Sequence, residues 1–209
     1  MHKIDISTWN RRAPYEHYSQ KKCPFFQASF MVDVTPLYNY TKAHGLPFYY
    51  SMIHTTTKAL NSVENFRHRI RGEEVWLIDR IDPHFSSMEK GAEVYKVTTY
   101  ELLDDMAEFC EKAKDFVSRQ TEFLDGTPVA SEDEIVYISC LPTLDVTSIG
   151  SSHDQNPDDC VPIITWGKMT QKEGRRWLNL SIEVNHRTID GVHVCRFGEN
   201  LQALIDGLA

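Results

Sequence analysis

Residues 177–186 alternate without a break. Leu178, Leu180, Ile182 and Val184 share one parity; Trp177, Asn179, Ser181, Glu183 and Asn185 share the other. Successive side chains of a strand point to opposite faces, so this run predicts a strand packed on one side only. It leads directly into HRTIDG and then Val192–Leu208, where Val194, Phe197, Leu201, Leu204, Ile205 and Leu208 recur at helical spacing. A strand with one apolar parity therefore runs directly into an amphipathic helix.

The rest of the chain reads the same way. A helix is expected over Tyr15–Ser19, with Pro14 in its first turn where a missing N–H costs nothing. A strand is expected over Ala28–Val34, a helix start at Thr35-Pro36, and a helix over Tyr49–Val63 with Met52, Ile53, Leu60 and Val63 on one side. Phe66–Ile81 reads as a hairpin turning at Arg71-Gly72. Leu102–Ser118 carries one apolar stripe, from Leu103 and Met106 through Phe109, Cys110 and Ala113 to Phe116 and Val117. Ile135–Cys140 is a short buried strand and Gly150–Cys160 a polar loop. Val161–Met169 pairs with Trp177–His186 through a turn at Glu173-Gly174. Strands and helices are mixed, so the class is α/β or α+β. With no linker or repeat in 209 residues, one domain over 1–209 is expected.

Charge and cysteine content narrow the chemistry. Lys+Arg 22 against Asp+Glu 30 leaves −8, which disfavours binding to a polyphosphate backbone. Apolar runs such as Val161–Ile164 are too short to span a bilayer, and the N-terminus lacks the apolar core of a secretory signal. Five cysteines, an odd number without a CxxC pair, argue against a zinc site or a full disulfide framework. A cytoplasmic protein with reduced thiols, no metal and no membrane or nucleic-acid partner is expected.

The sharpest chemical signal is His186. It continues the apolar parity, so its imidazole is expected on the packed side, where burial lowers the pKa and keeps the ring neutral. Such a ring serves either as a general base or as a core histidine satisfied by backbone groups. Asp190-Gly191, just before the helix, is either a cap, an arginine partner or a plain turn.

VNHRTIDG resembles the HxxxDG signature of the chloramphenicol acetyltransferases, shared with the catalytic domains of dihydrolipoamide acyltransferases. The resemblance is colinear over nearly the whole chain. IDISTWNRRAPYEHY is similar to the N-terminal D-x-x-x-W-x-R-R/K segment, FRHRIRGEEVWLIDRIDPHFS to the central hairpin, ISCLP to the short active-site strand, and CVPIITWGK to the APIIT-like strand. It implies a two-layer α/β subunit, a mixed sheet covered on one face by helices, assembled as a homotrimer with active sites at subunit interfaces. It implies acetyl-CoA as co-substrate, with no permanently bound cofactor, and a small hydroxyl acceptor. By the same resemblance His186 is the general base, Ser139 donates to the oxyanion and also contacts the cofactor, and Thr165 assists through a water molecule. Asp190 and Arg11 form a buried ion pair that braces the histidine loop.

For the acceptor, the resemblance implies Tyr18, Phe25, Phe85, Tyr95, Tyr137 and Ile149; for CoA, Lys168. Four positions depart from the family pattern. Asn185 replaces the first of two usual histidines, Thr143 a characteristic tryptophan, Tyr137 a small polar residue, and Pro47 a lysine common in relatives. Three functions therefore stand: acetylation of chloramphenicol giving antibiotic resistance, O-acylation of another small hydroxyl compound, or a non-catalytic CoA-binding scaffold. The NHRTIDG form looks closer to the DHRxxDG of the dihydrolipoamide enzymes, but lipoyl and linker segments are lacking.

Overall fold

The computed structural model describes residues 1–129, 131–150 and 156–208. Residues 151–155 of the expected polar loop lie outside the described residues. In chain order the elements are β1 (His2–Ile4), α1 (Arg12–Ser19), β2 (Phe25–Asp33), α2 (Thr35–His44), α3 (Phe48–Asn61), β3 (His68–Arg71), β4 (Glu74–Leu77), β5 (Asp82–Ser87) and β6 (Lys96–Thr99). There follow α4 (Met106–Arg119), β7 (Leu124–Gly126), β8 (Ile135–Cys140), β9 (Ile163–Trp166), β10 (Thr170–Lys172), β11 (Arg175–Asn185) and α5 (Gly191–Asp206).

The larger sheet runs β2, β11, β9, β8, β5, β6, β7, with β10 continuing the line of β9 along β11. It is mixed: β2 and β9 flank β11 antiparallel, β9–β8 and β8–β5 are parallel, β5–β6 is antiparallel and β6–β7 parallel. A small antiparallel sheet, β1–β4–β3, stands apart. Its hairpin turns through Gly72 at φ +65°, which the turn needs and glycine accepts. Phe66, expected in the hairpin, lies instead in a short 3₁₀ turn over Glu64–Arg67 and is fully buried.

The apolar parity of β11 is buried as predicted, though Ser181 and Asn185 of the other parity are buried too. Leu178, Leu180, Ile182 and Val184 are buried beneath α2 and α5, in a core completed by Met52, Ile53, Phe109 and Phe197. Helix α3 is buried nearly all round rather than along one stripe. Two of its threonines tolerate this because Thr55 Oγ1 donates to Ser51 O and Thr57 Oγ1 to Ile53 O, both at 2.8 Å, while the buried Thr56 hydroxyl has no hydrogen-bond partner among the described residues. Helix α4 starts later than the stripe suggests. Asp105 caps it, accepting from Glu108 N at 2.8 Å, while Leu102 N donates to Asp82 Oδ1.

The strand expected over Val161–Met169 is broken. Trp166 faces Leu180 and Thr170 faces Trp177, so three residues on one side oppose two on the other, a β-bulge at Gly167–Met169. Lys168 N leaves the ladder and donates to Leu144 O at 2.7 Å. The 144–146 segment comes so close that a Cβ on Gly167 would lie 2.5 Å from Val146 Cγ2 and 2.9 Å from Leu144 O. Helices cover one sheet face. On the other face, Ser139 and Tyr137 of β8 stand beside Thr165 and Ile163 of β9 and Ser86 and His84 of β5.

Candidate active site

The end of β11 is held by β2. Asn185 pairs with Phe25, and His186 N donates to Pro24 O at 2.7 Å before the chain turns, with Ile189 N bonding Asn185 O. The strand stops at Asn185, so His186 is not carried into the core as its parity suggests. Its ring stacks on Tyr18 (centroids 4.0 Å apart, planes 12° apart) and packs against Phe26, with 27% of the side chain exposed. Nδ1 lies 3.1 Å from Ile189 O and 3.0 Å from Asp190 Oδ1. Both are acceptors, so Nδ1 carries the proton and, in the neutral ring, Nε2 holds the lone pair.

Arg11, buried at the start of α1, clamps this turn. Nη2 donates to His186 O and to Asp190 Oδ1, each at 2.8 Å, Nε donates to Arg187 O at 3.0 Å, and Nη1 pairs with Asp190 Oδ2. The pair is less buried than expected, because the Asp190 side chain is a third exposed. Hydrogen bonding from Arg11 holds the Asp190 carboxyl below the usual carboxylate range. Asp190 also opens α5. Its N–H donates to His193 Nδ1 at 2.8 Å, so the imidazole takes one of the helix's first orphan donors.

Two neighbours of His186 tie down its turn, and of these Arg187 escaped the sequence reading. Asn185 is buried and donates to Pro157 O at 2.8 Å and Asp159 O at 2.7 Å, while its Oδ1 accepts from Arg187 N. Arg187 is buried too. It pairs with Asp158, donates to Tyr15 Oη at 3.0 Å and lies over the Tyr15 ring. Its partners are 29 and 172 residues away, so no local pattern separates it from a solvated surface charge.

Ser139 and Thr165 meet elsewhere. They are register partners on the uncovered face, and Ser139 Oγ lies 3.1 Å from Ser86 Oγ. Both line a cavity of about 690 Å³ that also takes in Tyr95, Tyr137 and Ile149. Tyr18 and Phe25 are not in its wall; they stand with β2 and α1 at the His186 end. Phe85 is corrected: it is fully buried between Tyr49 and Tyr50, because β5 turns its odd positions to the core and presents His84 and Ser86 instead. Lys168 is exposed on the bulge, outside the cavity wall. Pro47 caps α3 with extended backbone.

The two groups of polar residues are apart within one chain. Thr165 faces Ser181 across the ladder, and His186 lies five residues further along, about 17 Å at strand rise. One end of β11 thus carries an imidazole braced by Arg11 and Asp190, and the middle of the sheet a cavity lined by hydroxyl groups.

Comparison with known proteins places the whole chain in one context. A family described as "Chloramphenicol acetyltransferase" matches residues 1–202. Chloramphenicol acetyltransferase 2 of Escherichia coli is 28% identical over 211 residues, covering 99% of this chain and 97% of that protein. A solved chloramphenicol acetyltransferase superposes with TM-score 0.86 at 24% identity, covering 98% of this chain and all of the other. A dihydrolipoamide acetyltransferase of Azotobacter vinelandii follows at TM-score 0.67 and 16% identity, over 92% of this chain and 85% of that one.

Proposed function

This chain belongs to the chloramphenicol acetyltransferase family, and from that premise we propose that it transfers the acetyl group of acetyl-CoA to a hydroxyl of chloramphenicol, giving resistance to the antibiotic. The observation that carries the reading is the Nδ1 of His186, held by two acceptors so that Nε2 presents its lone pair. Nε2 takes the proton of the acceptor hydroxyl as its oxygen attacks the thioester carbonyl. The Ser139 hydroxyl donates to the oxyanion of the tetrahedral intermediate, and Thr165 assists through a water molecule. The C–S bond then breaks, and the imidazolium returns its proton to the departing CoA thiolate. Arg11 and Asp190 keep the ring in place and transfer no proton.

Direct transfer needs no cysteine. Burial pushes the Cys140 and Cys160 thiols up to about 11, so neither is a thiolate at neutral pH. We place the reaction in a homotrimer, where His186 of one subunit faces the Ser139–Thr165 cavity of the next. The position of His186 at the end of β11, five residues beyond the partner of Thr165, supports this. The test is to mix protein, acetyl-CoA and chloramphenicol and follow release of the CoA thiol, with His186→Ala as control. Release by the parent but not the variant is expected. Equal release by both would refute the base. Tyr137 in the cavity wall favours one second reading, the same transfer to another small alcohol. An acceptor screen distinguishes the two.

A further inference from the structure

Along β8 the side chains of Ile135, Tyr137 and Ser139 share the outer face at two-residue steps, about 7 Å apart. Ser139 lines the cavity of about 690 Å³, Ile135 lines a second of about 480 Å³, and Tyr137 lines both. His84 of β5 is the register partner of Tyr137 and also lines both. Among the described residues no others are common to the two cavities. The rings meet edge to face, centroids 5.0 Å apart with planes at 85°, and His84 Nδ1 lies 2.8 Å from Thr99 Oγ1. That hydrogen bond and the sheet register hold the pair as a wall between the chambers. Burial lowers the His84 pKa, which keeps the wall uncharged at neutral pH.

We propose that His84 and Tyr137 are the specificity-determining partition of the acceptor cavity, and that they confine the enzyme to compact acceptors by closing off the second chamber. The inference rests on the acceptor reading above and adds to it a boundary and a direction of extension. Beyond the partition stand Leu124, Val129 and Ile135, with the carboxylates of Asp125 and Glu132. Such a chamber suits an uncharged, apolar extension of the acceptor and repels an anionic one.

The experiment uses aryl primary alcohols sharing one core, with a para-alkyl chain lengthened from methyl to hexyl, beside chloramphenicol. The kcat/KM of each is measured with acetyl-CoA for the parent, Tyr137→Ala and Tyr137→Phe. In the parent and Tyr137→Phe, which keeps the ring, the long alcohol is expected to fall on the order of tenfold or more below the short one. Tyr137→Ala should restore the long alcohol by a similar factor, and a carboxylate at the chain end should cancel the gain. A long-to-short ratio in Tyr137→Ala within twofold of the parent overturns the partition. So does loss of all turnover in that variant with an unchanged melt. If Tyr137→Ala fails to fold, His84→Ala is read on the same panel with the same criteria. No turnover of chloramphenicol by the parent refutes the chloramphenicol reading alone, since the panel still reports the partition. Silence on every alcohol overturns both.

Discussion

At the residue scale His186 is held by two acceptors, an arginine clamp and an aromatic stack, and its proposed role as base carries a kinetic prediction. Replacing it with alanine should lower turnover on the order of 10²–10⁴-fold in a folded protein, the usual loss for a general base. Ser139→Ala should lower kcat on the order of 10²–10³-fold with little change in KM, as for one lost oxyanion donor. A change confined to KM would assign Ser139 to binding only. A second histidine sets an acid limit on the fold. His68 in β3 is buried with both ring nitrogens unpartnered, and burial, reinforced by Arg11, Arg69 and other nearby cations, holds its pKa down to about 4. The unfolded chain protonates this ring near pH 6.5 while the native state keeps it neutral. The unfolded state therefore binds more protons across that window, and stability falls as pH drops from about 6.5 towards 4. His68→Phe should flatten the dependence of Tm on pH over this range. Curves that stay parallel to the parent's would show that other groups set the limit.

At the scale of elements, the bulge between β9 and β10 does more than shorten a strand. It frees Lys168 N to bind Leu144 O, and the loop comes down onto Gly167, where no side chain fits. Gly167→Ala should lower stability by about 1–3 kcal/mol, the typical cost of overpacking a close approach, read as a drop in Tm. An unchanged melt would mean that the 144–146 segment yields freely. A strand over Val161–Met169 was legible in the sequence, but its interruption was not. A bulge depends on which distant loop docks against it, and period two carries no record of that. The same holds for α4, where the stripe marked the buried face correctly yet Asp105 decided the first turn.

For the whole molecule, the proposed sharing of His186 and the Ser139–Thr165 cavity between subunits makes a prediction that mutation of either alone does not. His186→Ala and Ser139→Ala chains, each nearly inactive, should regain activity when co-expressed and assembled together. Random assortment in a trimer gives about a quarter of interfaces with both intact groups. Recovery approaching that level supports a site shared between subunits. A mixture no more active than its parts would place both groups in one chain's site and overturn the trimeric reading.

What the sequence determined by itself is whatever depends on local periodicity and side-chain type. The buried face of β11, the amphipathic α5 and the short β8 are of this kind, whereas a chemical role for the His-x-x-x-Asp-Gly turn came from resemblance to a family. Tertiary structure decided the rest, because those outcomes depend on which distant groups meet. Arg11 reaches His186 and Asp190 across more than 170 residues, and Asn185 and Arg187 tie the same turn to Pro157–Asp159. Phe85 turned inward while His84 turned outward, a choice of face that register alone makes. A one-residue step on a strand exchanges core for cavity, and only the packed sheet says which is which.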